Sequence, residues 1–211
     1  MESVEKVSAL ARIQERAMDC QKCPHLVAFR TQVVFGVGNP DAKIMFVGEA
    51  PGADEDLQGE PFVGAAGQLL TKMIGAMGLD REAVYIANVL KCRPDMPGKS
   101  SSGNRKPTGS EMATCLPYLS QQIEIVRPMV LVALGATAVE GLLGLNKVTM
   151  GAVRSVWHDF RGIPVMPTYH PAYLLRNQSI SEKRKVWEDL LQVMERVGLP
   201  ISPKQQGYFQ R

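Results

Sequence analysis

Pro128-Met-Val-Leu-Val-Ala-Leu-Gly135 is apolar from its second residue to its seventh, stops on a glycine, and runs at once into Ala136-Thr-Ala-Val-Glu-Gly-Leu-Leu143. An apolar run this short, with no polar residue alternating through it, reads as a strand covered on both faces, the condition of a strand inside a parallel sheet. The segment behind it reads as a short helix. Two further strands follow the same pattern, Lys43-Ile-Met-Phe-Val-Gly48 and Ala83–Leu90. Helical spacing runs through Val4–Met18, Gln68–Met77, Ser110–Val126 (interrupted near its start by Pro117) and Ser179–Val197, where Ser179 and Glu182 are spaced as a capping box. Val156–Phe160 and Ile163–Tyr169 flank Arg161-Gly162 and read as a hairpin feeding a last strand. The stretches 48–67 and 94–109 are rich in turn-forming residues and read as loops.

Strands alternating with helices predict an α/β fold, a three-layer α/β/α sandwich around a mostly parallel sheet. Residues 1–197 are expected to form one domain, and the polar tail 198–211 is expected to fray. Sheets of this kind bind ligands beyond the carboxyl ends of their strands. The loops after Val47, Val89 and Thr168 are therefore where chemistry is to be sought.

The chain has 211 residues, 45% hydrophobic and 21% charged, which suits one hydrophobic core. Its first twenty residues carry Glu2, Glu5, Lys6, Arg12, Glu15 and Arg16, unlike a signal peptide. With every apolar run shorter than a membrane span, a cytoplasmic protein is expected. The net charge of +3 permits nucleic-acid binding without arguing for it. Distribution says more. Residues 49–60 hold Glu49, Asp54, Glu55, Asp56 and Glu60 with no base, whereas residues 91–106 hold Lys91, Arg93, Lys99, Arg105 and Lys106 against Asp95 alone. This pattern fits an acidic site loop beside a basic backbone-binding rim, and equally two solvated loops.

Four cysteines are present. Cys20 and Cys23 form a C-x-x-C pair after the first helix, and Cys92 and Cys115 flank the long polar loop. Four thiolates converging from two segments suit tetrahedral zinc or a [4Fe–4S] cluster, and spacing alone does not choose between them.

The three loops carry distinctive residues. The first reads Gly48-Glu-Ala-Pro-Gly-Ala-Asp-Glu-Asp56, followed by Gly59-Glu-Pro-Phe-Val-Gly64. The second holds Asn88 and Lys91-Cys-Arg-Pro94, and the third is Tyr169-His-Pro-Ala-Tyr-Leu-Leu-Arg176. Together with the cysteines, over about Ala17 to Val197, this closely resembles the family 4 uracil-DNA glycosylases, the iron–sulfur branch of the uracil-DNA glycosylase superfamily. The resemblance implies a four-stranded parallel sheet, a [4Fe–4S] cluster on Cys20, Cys23, Cys92 and Cys115, and hydrolysis of the N-glycosidic bond of deoxyuridine in DNA, here by a monomer. The span from Cys92 to Cys115 is longer than the family's usual spacing, through an insertion around Met96 to Ser102. A covalent uracil-trapping relative has a His-containing insertion there; this one has no His, and the first motif reads Glu-Ala-Pro where that relative has Glu-Gln-Pro. Turnover is expected over trapping. A binding or trapping protein without turnover, a redox module and a zinc-stabilised replication accessory domain are the competing readings.

Under the resemblance, Phe62 stacks on a flipped-out base and Asn88 reads its Watson–Crick edge. His170 donates to uracil O2 as negative charge develops there, and Gly48, Ala50 and Gly52 present backbone amides. Ala50 stands where the family 1 enzymes place an Asp, so Glu49 is assigned to positioning water or bracing the loop. Glu55 is assigned to orienting the base or excluding the thymine methyl. Leu174 takes the position of the superfamily's intercalating Leu, and Arg176, Lys91, Arg93 and Lys106 are phosphate contacts.

Overall fold

The computed structural model describes residues 2–94 and 104–210. In chain order the elements are α1 (Ser3–Met18), α2 (Pro24–Val27), β1 (Val37–Gly38), β2 (Ile44–Gly48), α3 (Ala53–Gln58), α4 (Ala65–Ala76), a 3₁₀ turn (Arg81–Ala83), β3 (Tyr85–Asn88), α5 (Gly109–Val126), β4 (Val130–Leu134), α6 (Ala136–Leu143), α7 (Met150–Val153), β5 (His158–Phe160), β6 (Ile163–Thr168), α8 (Pro171–Arg176), α9 (Ile180–Arg196) and α10 (Pro203–Gln206). The strands lie in the order β1-β3-β2-β4-β6-β5. The inner strands β3, β2, β4 and β6 are mutually parallel, and β1 and β5 pair antiparallel at the two edges. The sheet thus has six strands where the family resemblance implied four; the four are its parallel core. The expected hairpin across Arg161-Gly162 forms β5 and β6.

Because side chains alternate along a strand, each inner strand feeds two cores. Ile44 and Phe46 of β2 join Ile86, Val132 and Met166 under α4 and α9, with Leu70, Ile74, Trp187 and Leu190. Met45 and Val47 point the other way, with Ala87, Leu131, Ala133 and Val165, beneath Leu119, Ile123, Val139 and Leu142 of α5 and α6. A smaller cluster gathers Ile13 and Ala17 of α1 with Leu26, Val33, Phe35, Leu90, Cys92 and Cys115. All five residues of β2 and of β4 are buried, as the unbroken apolar runs required.

Three expectations change. Pro117 does not interrupt its helix; α5 runs through it, with Pro117 itself exposed, and begins in a reciprocal cap between Thr108 and Glu111. The Ser179–Glu182 box is half formed: Ser179 Oγ accepts from the Glu182 amide, while the Glu182 carboxylate takes Tyr173 and Lys185 instead. The tail is held, not frayed. Trp187 Nε1 donates to Gln205 O at 2.6 Å, Gln205 Nε2 donates to Ala76 O at 2.9 Å, and Arg184 Nη1 donates to Tyr208 O at 2.8 Å. Among the described residues no helix is long and apolar enough to cross a membrane. The insertion around Met96 to Ser102 lies outside the described residues.

Candidate active site

Parallel pairing puts the carboxyl ends of β2, β3, β4 and β6 on one edge of the sheet, and a cavity of ≈ 430 Å³ opens there. Its walls include Ala50, Gly52, Glu55, Phe62, Asn88 and His170, so all three loops singled out from sequence converge on it. Leu175, Arg93 and Asn104 stand in its lining as well.

Asn88 ends β3 and is 2% exposed, yet its Oδ1 has no hydrogen-bond partner among the described residues. A buried acceptor left unpaired costs about 1–3 kcal/mol, so this oxygen is placed for something that enters the cavity. Two glycines make room around it. A Cβ on Gly48 would come 2.4 Å from Asn88 Oδ1 and 2.5 Å from Phe62 Cζ, and a Cβ on Gly67 would come 1.8 Å from Phe62 O. Phe62 itself takes a left-handed backbone (φ 54°), unusual for an aromatic residue, and its ring lies 5.5 Å from the His170 ring at a 32° tilt. Phe62 is both a core residue and a wall of the cavity.

His170 caps α8. Its Nδ1 accepts the Ala172 amide at 3.1 Å, which leaves the ring proton on Nε2. Burial, aided by the Arg176 cation and opposed by Glu55, pushes this imidazole down to about 4. At neutral pH it is an uncharged donor. The other two histidines have local partners, His25 with Glu111 and His158 with Val153 O.

The carboxylates divide differently from expectation. Glu55 lines the cavity, but its oxygens accept the Gly52 amide at 3.0 Å, the Val63 amide at 3.0 Å and the Gly64 amide at 2.9 Å. It stitches the two halves of the first loop together. Glu49 is turned to Thr137, with Lys106 and Glu140 nearby, and burial raises its pKa; it is absent from the cavity walls.

Two DNA-contact expectations are corrected. Leu174 is 5% exposed and packed in the core, whereas Leu175, one residue on, is 40% exposed and lines the cavity. Neighbouring residues on a helix point about 100° apart, so a one-residue shift in phase exchanges the exposed and the buried leucine. Lys91 cannot reach a phosphate: it is 1% exposed, and its Nζ donates to Gln122 Oε1 at 2.6 Å and sits over the Phe35 ring. Burial brings its pKa down to about 7. Arg93 lines the cavity and donates through Nε to Asn104 Oδ1, Lys106 pairs with Glu140 at 2.5 Å, and Arg176 is exposed. Asn104, which sequence reading missed, also donates to Pro51 O at 3.3 Å and so braces the first loop. An exposed Asn beside a polar loop carried no signal of that role.

The cysteines lie within electrostatic reach of one another. Cys92 and Cys115 are buried, and Cys20 and Cys23 half-buried. Burial raises the thiol of Cys115 to about 12, with Cys92 and Cys20 near enough to raise it further. The pKa of Cys23 is likewise raised, by burial and then by Cys92 and Cys20. Donors already face two of these sulfurs: Lys91 N lies 3.2 Å from Cys115 Sγ and Arg30 Nη1 lies 3.1 Å from Cys92 Sγ. Among the described residues no three His, Cys, Asp or Glu side chains form a group that could hold a metal ion.

The fold is thus an α/β protein with a cavity at the carboxyl edge of its parallel sheet, walled by an aromatic ring, a buried amide and a neutral imidazole. A family model, the uracil DNA glycosylase superfamily, matches residues 35–191, and the chain belongs to that superfamily. Within it the similarity is to type-4 members. The chain is 49% identical to the type-4 uracil-DNA glycosylase of Thermotoga maritima, over 84% of this chain and 89% of that one. It is 43% identical to that of Sulfurisphaera tokodaii (94% and 88%) and 44% identical to that of Archaeoglobus fulgidus (84% and 88%).

Proposed function

We propose that this chain is a DNA-repair glycosylase that excises uracil from DNA, leaving an abasic site as the first step of base excision repair. The observation that carries the reading is the unpaired, buried Asn88 Oδ1 facing a cavity between Phe62 and a neutral His170. Uracil presents an N3–H donor beside the O4 acceptor. Asn88 accepts the first through Oδ1 and donates to the second through Nδ2. Cytosine presents an acceptor at N3 and a donor at N4, which leaves this amide mismatched on both contacts.

Chemistry requires the C1′–N1 bond to break with its electron pair leaving on the base, while water adds its oxygen to C1′ and gives up a proton that balances the charge of the departing uracil anion. Negative charge then accumulates on uracil O2. His170 Nε2–H donates to that oxygen, and a neutral ring suffices because the charge develops within hydrogen-bonding reach. Ala50 and Gly52 line the same cavity, but the Gly52 amide is taken by Glu55, which through Gly52, Val63 and Gly64 fixes the shape of the first loop instead of offering that amide to the base. Phe62 supplies the stacking face for the extruded base. Leu175 fills the gap in the stack, and Arg93, Lys106 and Arg176 meet phosphates around the rim.

Cys20, Cys23, Cys92 and Cys115 would hold a [4Fe–4S] cluster, the cofactor that the resemblance implies. The donor set supports that reading: Cys23 and Cys115 each lie within electrostatic reach of Cys20 and Cys92, and two of the sulfurs already have N–H donors aimed at them. When bound, the cluster supplies iron–sulfur cross-links between the end of α1, the segment after β3, and α5.

The test is incubation with a uracil-containing oligonucleotide, scored for free uracil and for strand breakage in alkali. Multiple turnovers with free uracil are expected. A protein–DNA species that survives SDS with no free uracil would mean trapping, and inert DNA would overturn the reading.

A further inference from the structure

Arg30 is a half-buried cation that the base-excision chemistry leaves unused. Its guanidinium is forked between two chain segments. Nη1 donates to Cys92 Sγ at 3.1 Å, and Nη2 donates to the backbone carbonyl of Cys20 at 2.9 Å. One planar group therefore joins the C-x-x-C segment after α1 to the segment after β3, which are otherwise distant in sequence. The fork is held rigidly from behind. The Arg30 amide donates to Leu26 O at 2.8 Å, and the next amide, Thr31, donates to both carboxylate oxygens of Asp56 at 3.0 Å. Asp56 is 3% exposed and lies in α3, beside the Glu55 that closes the base cavity.

We propose that Arg30 is a positioning residue for the iron–sulfur cluster, joining the two cysteine-bearing segments before iron arrives and hydrogen-bonding the Cys92 thiolate afterwards. The inference rests on the cluster reading above. Two physical arguments support it. Bringing several thiolates together in an apolar cluster of Leu26, Phe35 and Leu90 is opposed by burial and by mutual repulsion, and a fixed guanidinium offsets both. Hydrogen bonds to a coordinating sulfur also draw charge from the metal and favour the reduced form, so they raise a cluster's potential. Lys91 N contributes a backbone donor to Cys115, which no side-chain substitution removes; Arg30 is a side-chain donor to Cys92 that mutation can reach.

The experiment compares anaerobically purified wild type, Arg30→Met and Arg30→Lys for iron content, rate of iron release to a ferrous chelator, and reduction potential by protein-film voltammetry. Wild type is expected to hold about four irons per chain. Arg30→Met should release iron roughly tenfold faster, the effect of losing one hydrogen bond to a charged group, and its potential should move lower. Arg30→Lys keeps the charge without the fork, and should lie between the two in both measurements. A packing role alone would leave the potential in place. If Arg30→Met is insoluble, Arg30→Lys decides: faster release than wild type supports the clamp, and equal release with equal potential overturns it. Iron-free wild-type protein would instead defeat the cluster reading, while four-iron wild type with an unaltered Arg30→Met would defeat the role of Arg30 alone.

Discussion

Within a few residues of one another, the end of β3 and the segment after it serve two regions with opposite hydrogen-bond economies. Asn88 faces the base cavity with a buried oxygen that nothing completes. Cys92 and the Cys115 that it neighbours face inward, each with an N–H donor already in place. A polar group kept unpaired belongs where a ligand comes and goes, because the ligand's arrival supplies the missing bond. A group furnished with donors belongs where the occupant stays. The contrast separates the turnover site from the structural site without reference to any bound molecule.

His170 gives the largest expected break in that contrast. Removing its ring deletes the donor to the developing anion, so His170→Ala should lower the single-turnover excision rate by roughly 10²–10³-fold. DNA affinity should change far less, and iron content should stay at the wild-type level, since among the described residues the ring's contacts run to Phe62 and Ala172. A parallel fall in affinity would make His170 a DNA contact, and lost iron would mean that the two regions are not separable.

Leu175 sharpens the comparison on the DNA side. Leu175→Ala should slow excision from duplex by about tenfold while leaving single strands nearly untouched, because unstacking costs a few kcal/mol only where a stack exists. Leu174→Ala, made in the core beside Trp187, should lower the melting temperature whichever substrate is used. The reverse pattern would restore Leu174 as the wedge.

That exchange shows where sequence reading stops. β4 and α6 were legible almost to the residue because an unbroken apolar run and a following helical stretch leave one interpretation. The convergence of the three loops followed from parallel topology. The phase of α8 did not, since six residues after a proline carry too few turns to show which leucine faces inward. Lys91 read as a surface base because its partners, Gln122 and Phe35, come from distant segments. β1 escaped notice as a two-residue edge strand ending in Gly38. Glu55 lines the cavity as its place in the loop suggested and Glu49 does not, because which amides or hydroxyls they bind depends on loop geometry that spacing does not carry.

A pH signature follows from the same ring. The folded state holds His170 near 4, below the ordinary imidazole value of 6.5, so the unfolded chain takes up its proton first. The stability that His170 contributes is full above 6.5 and is lost as pH falls through about 4. His170→Gln should therefore lose less stability than wild type between those limits. Identical slopes of melting temperature against pH would show that the ring is not held neutral.

Asn88 provides the most direct test of the account, through single-turnover uracil excision by Asn88→Ala and Asn88→Asp, with cluster content and affinity for undamaged duplex measured alongside. If the unpaired oxygen is completed by uracil N3–H, Asn88→Ala loses that bond and the donor to O4. Excision should fall by roughly 10–100-fold, the 1–3 kcal/mol of a buried polar partner left unmatched. Asn88→Asp keeps an acceptor but, when ionised, cannot donate to O4, and should also fall. Iron content and affinity for undamaged DNA should hold. Wild-type excision rates in both variants would contradict the claim that this buried amide reads the base.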